Sequence, residues 1–223
     1  MPEPRAILAE LAPLEGSTVV DVGCGDGDLV RWLAAQGAHA IGVEVGEEPL
    51  AAARAVTPVA DERYEQGGGE ALPVADASAD VVTFIQSLHH VPVELMDQAL
   101  AEAARVLRPG GVVFVQEPLP EGEQFEVLQP LDDETHVRTQ AQRALARLPA
   151  TLRSEQSVTL GLRVRHASFE ALRDRVLMND ADRMARYPEV EEELRGRFGR
   201  LATPADGAFI LRQPTKIDVL RRS

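Results

Sequence analysis

The 223-residue chain has one cysteine, Cys24, so no disulfide can form within it, and a reducing cytoplasm is the simplest expected compartment. No apolar run approaches the roughly 20 residues that span a bilayer. The first stretch, "MPEPRAILAELAPLEG", lacks the charged-then-apolar layout of a secretion signal. Positive charge is scarce: 23 Lys and Arg against 36 Asp and Glu leave a formal net charge of −13. That balance argues against a nucleic-acid partner, which needs a basic face. No His, Cys and carboxylate cluster has metal-ligand spacing, so no metal is expected. Repeats and low-complexity tails are also missing. What is present, 44% hydrophobic residues over this length, suits one globular domain or one domain with an added lobe.

The first half alternates two periodicities. A short helix is expected over residues 5–13, then a buried strand in "STVVDV" (17–22). "GDLVRWLAAQG" puts Leu29, Val30, Leu33 and Ala34 on one helical face and stops at Gly37. "AHAIGVEV" reads as a strand and "EEPLAAARAV" as a helix that tolerates Pro49 in its first turn. "ERYEQ" is a short strand before a glycine-rich loop, and "ADVVTFIQS" a buried one. "PVELMDQALAEAARVL" is a helix, stopped by Pro109 and Gly110-Gly111 before the strand "VVFVQEP". Strand–helix alternation over 17–118 predicts parallel strands covered by helices on both faces. Beyond it the pattern changes. Residues 119–131, with Pro120 and Pro130 inside and Pro118 just before, read as a surface connection, and "DDETHVRTQAQRALARL" as an amphipathic helix. "EQSVTLGLRVRH" alternates as a strand, and "SFEALRDRVL" is a helix with Ser168 as N-cap. "EVEEELRGRF" is a charged, exposed helix. "DGAFILRQPTKIDVLRR" is expected as two strand pieces interrupted by Pro214.

The first strand runs into "VVDVGCGDGDLV", with Gly23, Gly25 and Gly27 at alternate positions and carboxylates at Asp21, Asp26 and Asp28. An open parallel sheet binds ligands beyond the carboxyl ends of its strands, so this turn is the candidate site. Dinucleotide sites use G-x-G-x-x-G, but Asp28 stands where the third glycine belongs, and no Gly-Lys-Ser/Thr follows as in a P-loop. Clustered carboxylates repel a pyrophosphate and attract a cation; Asp21 would attract an ammonium group. The competing reading is a tight turn that binds nothing. Glu44 ends the second strand, roughly 20 residues past the first glycine, where an acid accepts from both ribose hydroxyls of a nucleoside. It would otherwise be a strand-end surface acid.

These residues carry a resemblance. "VVDVGCGDGDLV" resembles the first motif, E/D-x-G-x-G-x-G, of class I S-adenosylmethionine-dependent methyltransferases. "IGVE" is similar to their acidic second-strand motif. "GGGEALPVADASADVV", "FIQSLHHV" and "EAARVLRPGGVVFVQEP" resemble three later motifs, in order, over residues 17–118. The likeness is greatest to the branch with quinone-biosynthesis and other small-molecule enzymes. It implies a Rossmann-like, doubly wound α/β fold: a mostly parallel seven-stranded sheet with an antiparallel final strand, plus a helical insert. Residues 1–118 would form the cofactor-binding core, and 119–223 the insert and closing strands of the same domain. It implies S-adenosylmethionine as cofactor. Its contacts would be Asp21, Gly23, Cys24, Gly25, Glu44 and Val45, with Gly69, Glu70 and Ala71 around the adenine and Gln86 and Ser87 at the methionine end. One position departs from the pattern. The family often carries an aspartate, reaching the adenine amino group, where this chain has Gly68.

A sulfonium methyl is already activated, so the protein must mainly align the acceptor and exclude water. An oxygen or carbon acid also needs a base. The candidates are His89, just past the fourth strand, and His136, in the helix after the connection. Phe125, Leu128, His136 and Arg138 are candidate acceptor contacts, and Arg138, Arg143, Arg147 and Arg153 form either an acid-binding face or a solvated one. The leading expectation is therefore methyl transfer to a small-molecule acceptor. A non-catalytic cofactor-binding or assembly protein on the same fold is the alternative, followed by an NAD(P)-dependent oxidoreductase, disfavoured by Asp28. Nucleic-acid methylation is disfavoured by acidity and by the lack of an "N-P-P-Y"-like motif after the fourth strand.

Overall fold

The structure is a computed structural model and describes residues 4–11, 14–178 and 180–223. Helix α1 (Pro4–Leu11) precedes strand β1 (Thr18–Val22). The expected helix over 5–13 extends to residues 12 and 13, which lie outside the described residues. Then follow α2 (Asp28–Ala35), β2 (His39–Glu44), α3 (Glu47–Ala55), β3 (Arg63–Gln66), β4 (Ala79–Ile85), α4 (Met96–Val106) and β5 (Leu107–Pro118). Among the described residues the sheet has eight strands. Its order is β3-β2-β1-β4-β5, then β8 (Ala208–Arg222) and β6 (Leu152–His166), with β7 (Thr203–Ala205) paired to β8. The first five strands are parallel, with Val20 opposite Ile41 and Val82, and Val82 opposite Val113. The C-terminal strands are antiparallel. This is the expected doubly wound α/β sheet, enlarged by one short strand. That strand exists because Asp206 and Gly207, both at positive φ (49° and 72°), close a tight hairpin.

The central strands are rich in β-branched residues buried on both faces: Val19, Val20, Val81 and Val82 are at most 1% exposed. The chain forms two compact units. The first comprises Met1–Glu117, Gln140–Val158 and Lys216–Ser223. Its core joins Val20, Val22, Val82 and Phe84 to α4 (Met96, Leu100, Ala103) and to Ala141 and Ala144 of α6 (Thr135–Leu145). The second comprises Pro118–Thr139 and Thr159–Thr215. Its core is Val127 and Leu131 with Phe169 and Leu172 of α7 (Phe169–Leu177) and Leu194 and Phe198 of α8 (Ala181–Leu201). Among the described residues no helix is long and apolar enough to cross a membrane.

Four local expectations are corrected. Residues 119–131 are not only a surface connection: they contain α5 (Glu123–Leu128), whose Phe125 and Val127 are buried. Three flanking prolines masked a six-residue helix too short to repeat its apolar pattern. The charged helix expected at 189–198 runs from Ala181 to Leu201, capped by Asp180, whose side chain accepts from Arg183 N–H at 2.8 Å. Pro188 lies inside it. Helix α4 ends at Val106, before Pro109, and Leu107 already pairs with Ala79; the register then shifts to Val112 opposite Val81. Pro214 does not divide β8. Its missing N–H leaves a carbonyl that still accepts from Leu119 N–H at 2.9 Å and from Gln213 Nε2 at 2.9 Å. The chain passes against the proline ring at Gly122, where a side chain would collide with Pro214.

Candidate active site at the carboxyl edge of the sheet

The carboxyl ends of β1, β2 and β4 converge in the first unit. After Val22 the chain turns sharply: Gly23 N–H donates to Val43 O at 2.8 Å and Cys24 N–H to the same carbonyl at 3.1 Å. Gly23 sits at φ 73°, and a methyl group on it would come within 2.6 Å of Ser87 Cβ. Glycine here is thus required both by the left-handed backbone and by the close approach of Ser87, just past β4. Gly25, also left-handed, has nothing within 4 Å of where a Cβ would project, so the loop is open on that side.

Glu44 joins this loop to β2. Its Oε2 accepts from Gly25 N–H at 2.9 Å and its Oε1 from Gly46 N–H at 2.8 Å. Each carboxylate oxygen retains a second lone pair. Val45, next in sequence, is 71% exposed, an apolar platform beside the acid. Asp21 is 3% exposed and accepts from Thr83 Oγ1 at 2.7 Å. Burial, opposed by that hydrogen bond and reinforced by the Glu44 charge, raises its pKa to about 6. Cys24 is buried, and its thiol is pushed up to about 12 by burial and by the charges of Asp21 and Glu44. A thiol held protonated is a packing residue, not a nucleophile.

At the end of β4, Gln86 adopts a left-handed φ of 54° and donates its N–H to Gln116 O at 2.8 Å. A side chain in that region is strained, and such strain concentrates at functional edges. Ser87 Oγ donates to Val22 O at 2.6 Å. Glu117, at the end of β5 and 1% exposed, holds the turn that follows. Its Oε1 accepts from Ser87 N–H at 3.1 Å and Leu88 N–H at 2.8 Å, and its Oε2 pairs with His89 Nδ1. His89 is 4% exposed. With a carboxylate on Nδ1, that nitrogen carries a hydrogen and Nε2 is the ring nitrogen left on the far side.

Gly69 packs toward Val22, Phe84 and Ala99. Glu70 O accepts from Gln98 Nε2 at 2.8 Å, and Ala71 N–H donates to Gly68 O at 3.2 Å. Arg105 clamps the following residues through Leu72 O and Val74 O, both at 3.0 Å. The sequence-predicted set Asp21, Gly23, Cys24, Gly25, Glu44, Val45, Gly69, Glu70, Ala71, Gln86, Ser87 and His89 thus falls at or just past the carboxyl ends of β1 to β4, all in one unit. His136 is exposed on α6 and belongs to the second unit. Arg138 stacks over Phe125 at 5.2 Å and pairs with Glu134, so its charge is engaged within that unit. Thr83 and Glu117 escaped the sequence reading. The signal for Glu117 was present, an acid ending an apolar strand in "VVFVQEP", the same signal that marked Asp21 and Glu44.

The residues present fit S-adenosylmethionine. The open side of Gly25 leaves room against the loop, Glu44 has lone pairs for two hydroxyls, Val45 offers an apolar face for a base, and Asp21 offers an anion for an ammonium.

The family model described as a methyltransferase domain matches residues 20–115. A ubiquinone biosynthesis O-methyltransferase of Hahella chejuensis is 41% identical over 112 residues, covering 48% of this chain and 45% of that protein. A 27-O-demethylrifamycin SV methyltransferase of Amycolatopsis mediterranei is 37% identical over 125 residues, 52% of this chain and 45% of its own length. The chain thus spans about half the length of the curated relatives it matches. Among solved structures, an S-adenosylmethionine-dependent methyltransferase from Mesorhizobium loti superposes with a TM-score of 0.57 at 22% identity, over 98% of this chain and 96% of that one. The [4+2]-cyclase SpnF superposes with a TM-score of 0.65 at 18% identity, over 97% and 79%. These likenesses establish the fold, and a cyclase among them shows that the fold alone does not name the reaction. The sequence matches, the glycine loop and the strand-end acids coincide in one stretch: residues 20–115 match a methyltransferase domain and are similar to class I S-adenosylmethionine-dependent methyltransferases.

Proposed function

We propose that the protein binds S-adenosylmethionine at the carboxyl edge of β1, β2 and β4 and transfers its methyl group to a hydroxyl of a small-molecule acceptor. The observation that carries this reading is the Glu44 carboxylate, tied to the glycine loop by Gly25 N–H and to the next helix by Gly46 N–H. Acid and loop form one wall, with acceptors left for a ribose diol. Asp21 holds the ammonium end, and the Ser87 turn closes the methionine side. When bound, the cofactor supplies an electrophilic methyl on a sulfonium. His89 accepts the acceptor's proton on Nε2, while Glu117 holds Nδ1 and the ring orientation. Support for a hydroxyl acceptor comes from the two relatives, one of them named an O-methyltransferase and the other a 27-O-demethylrifamycin SV methyltransferase. A net charge of −13 favours a small molecule over a nucleic acid, and one cysteine suits a reducing cytoplasm.

Isothermal titration with S-adenosylmethionine and, separately, NADH tests the cofactor. The first should bind with roughly micromolar affinity and the second not at all. Glu44→Gln, which keeps one acceptor oxygen for the loop, should weaken binding, and Glu44→Ala should abolish it. Failure of the folded wild type to bind S-adenosylmethionine overturns the reading.

A further inference from the structure

We infer that Tyr64 of β3 is a positioning residue for the glycine loop: its ring braces the exit of the loop and keeps it in the shape that receives the ligand. The inference rests on the cofactor reading above. Sheet register brings the residue there. Asp21 of β1 lies opposite Gly42 of β2, and Gly42 lies opposite Tyr64 of β3. Paired residues of neighbouring strands share a face, so the three form one row. β3 is two strands from β1, roughly 10 Å at ordinary strand spacing. A side chain on β3 crosses that gap only if β2 leaves it open. Gly42 does so: a methyl group on it would come within 2.9 Å of Tyr64 Cδ1 and 2.7 Å of Cys24 Sγ. A glycine inside a strand weakens it, and this one gives its space to a ring and a thiol from the two flanking strands.

The ring ends against the last glycine of the loop. A methyl group on Gly27 would come within 2.6 Å of Tyr64 Cε1 and 2.7 Å of its hydroxyl oxygen. Gly27 is also the cap from which α2 starts. Arg31 stands nearby: its Nη1 donates to Asp26 O at 2.7 Å, and its charge opposes the burial that raises the Tyr64 pKa. The loop is therefore held at three places. Val43 O takes its entrance, Glu44 takes Gly25, and Tyr64 with Arg31 takes its exit. Glycines lose more backbone freedom on ordering than other residues, and a loop with three of them would have to order when the ligand arrives. That cost is subtracted from affinity unless the loop is ordered beforehand. The Tyr64 hydroxyl is buried and meets no hydrogen-bond partner among the described residues, so the ring and not the hydroxyl carries the role.

The test joins calorimetric titration with S-adenosylhomocysteine to hydrogen exchange of the ligand-free proteins. In wild type the amides of residues 25–28 should be protected before any ligand is added. Tyr64→Phe should bind within about twofold of wild type. Tyr64→Ala and the less disruptive Tyr64→Leu should bind about tenfold more weakly, with residues 25–28 exchanging faster while β1 and β4 stay protected. A residue that only supports the fold would lower the melting temperature and leave the affinity of the folded protein alone. Unprotected amides at 25–28 in ligand-free wild type, unchanged affinity in Tyr64→Leu, or an equal loss in Tyr64→Phe overturns the inference while leaving the cofactor reading intact. Failure of folded wild type to bind overturns both.

Discussion

Asp21 is nearly enclosed, with the Thr83 hydroxyl as its hydrogen-bond donor. Its carboxyl titrates near 6 in the fold against an ordinary value of 3.8, because burial disfavours the charge. Between those values the folded chain binds more protons than the unfolded one, so this group lowers stability as pH rises from about 4 to 6, and the loss persists above. Asp21→Asn should therefore be more stable than wild type at pH 7.5, by on the order of 3 kcal/mol at most, and nearly equal to it at pH 3.5. Urea unfolding at the two pH values measures this. In the proposed function, the charge that weakens the free protein is the one that holds the cationic ligand. S-adenosylmethionine binding should accordingly tighten as pH rises through 6, and that slope should vanish in the Asn variant. Asp21 and Glu44 were legible as candidates because an acid ending an apolar strand has few structural reasons to be there. Thr83 was not, since nothing in "ADVVTFIQS" marks a threonine whose partner lies 62 residues earlier.

The turn after β4 shows what an element can depend on. Two backbone N–H groups and an imidazole converge on one buried carboxylate, Glu117, from the neighbouring strand. Glu117→Ala would leave three donors without a partner and should cost about 3 kcal/mol, read by chemical denaturation. By releasing the His89 ring the same change should also lower turnover, whereas His89→Ala should remove turnover and leave cofactor affinity within about twofold. The elements themselves were mostly readable. The strands β1, β2 and β4 and the helices α2, α3 and α4 fall where periodicity places them, because each is long enough to repeat its pattern. The failures have local causes. Helix α5 is too short to show a period, β7 is three residues long, and Pro214 looks like a strand breaker only until its neighbours are known.

At the scale of the molecule the chain builds two cores, and the units they define interleave in sequence. In the second, Phe198 packs edge-on to Phe169 at 5.6 Å and tilted on Phe209 at 5.3 Å. Phe198→Ala should cost about 3–5 kcal/mol. Hydrogen exchange should show the loss first in α7 and α8, with β1 and β4 still protected. Exposed ion pairs such as Arg195–Glu170 and Arg147–Asp97 should matter little to either unit, because water screens them.

The alternating pattern of residues 17–118, the glycine loop and the acids at strand ends are local features. Sequence alone therefore determined the doubly wound sheet, the likeness to methyltransferases and the sheet edge at which the candidate residues gather. Which residues complete that edge was decided by contacts between strands far apart in the chain. Glu117 reaches His89 only because β5 lies beside β4, and Glu44 reaches Gly25 only because β2 lies beside β1. Those pairings follow from sheet register, a long-range quantity that local periodicity does not contain.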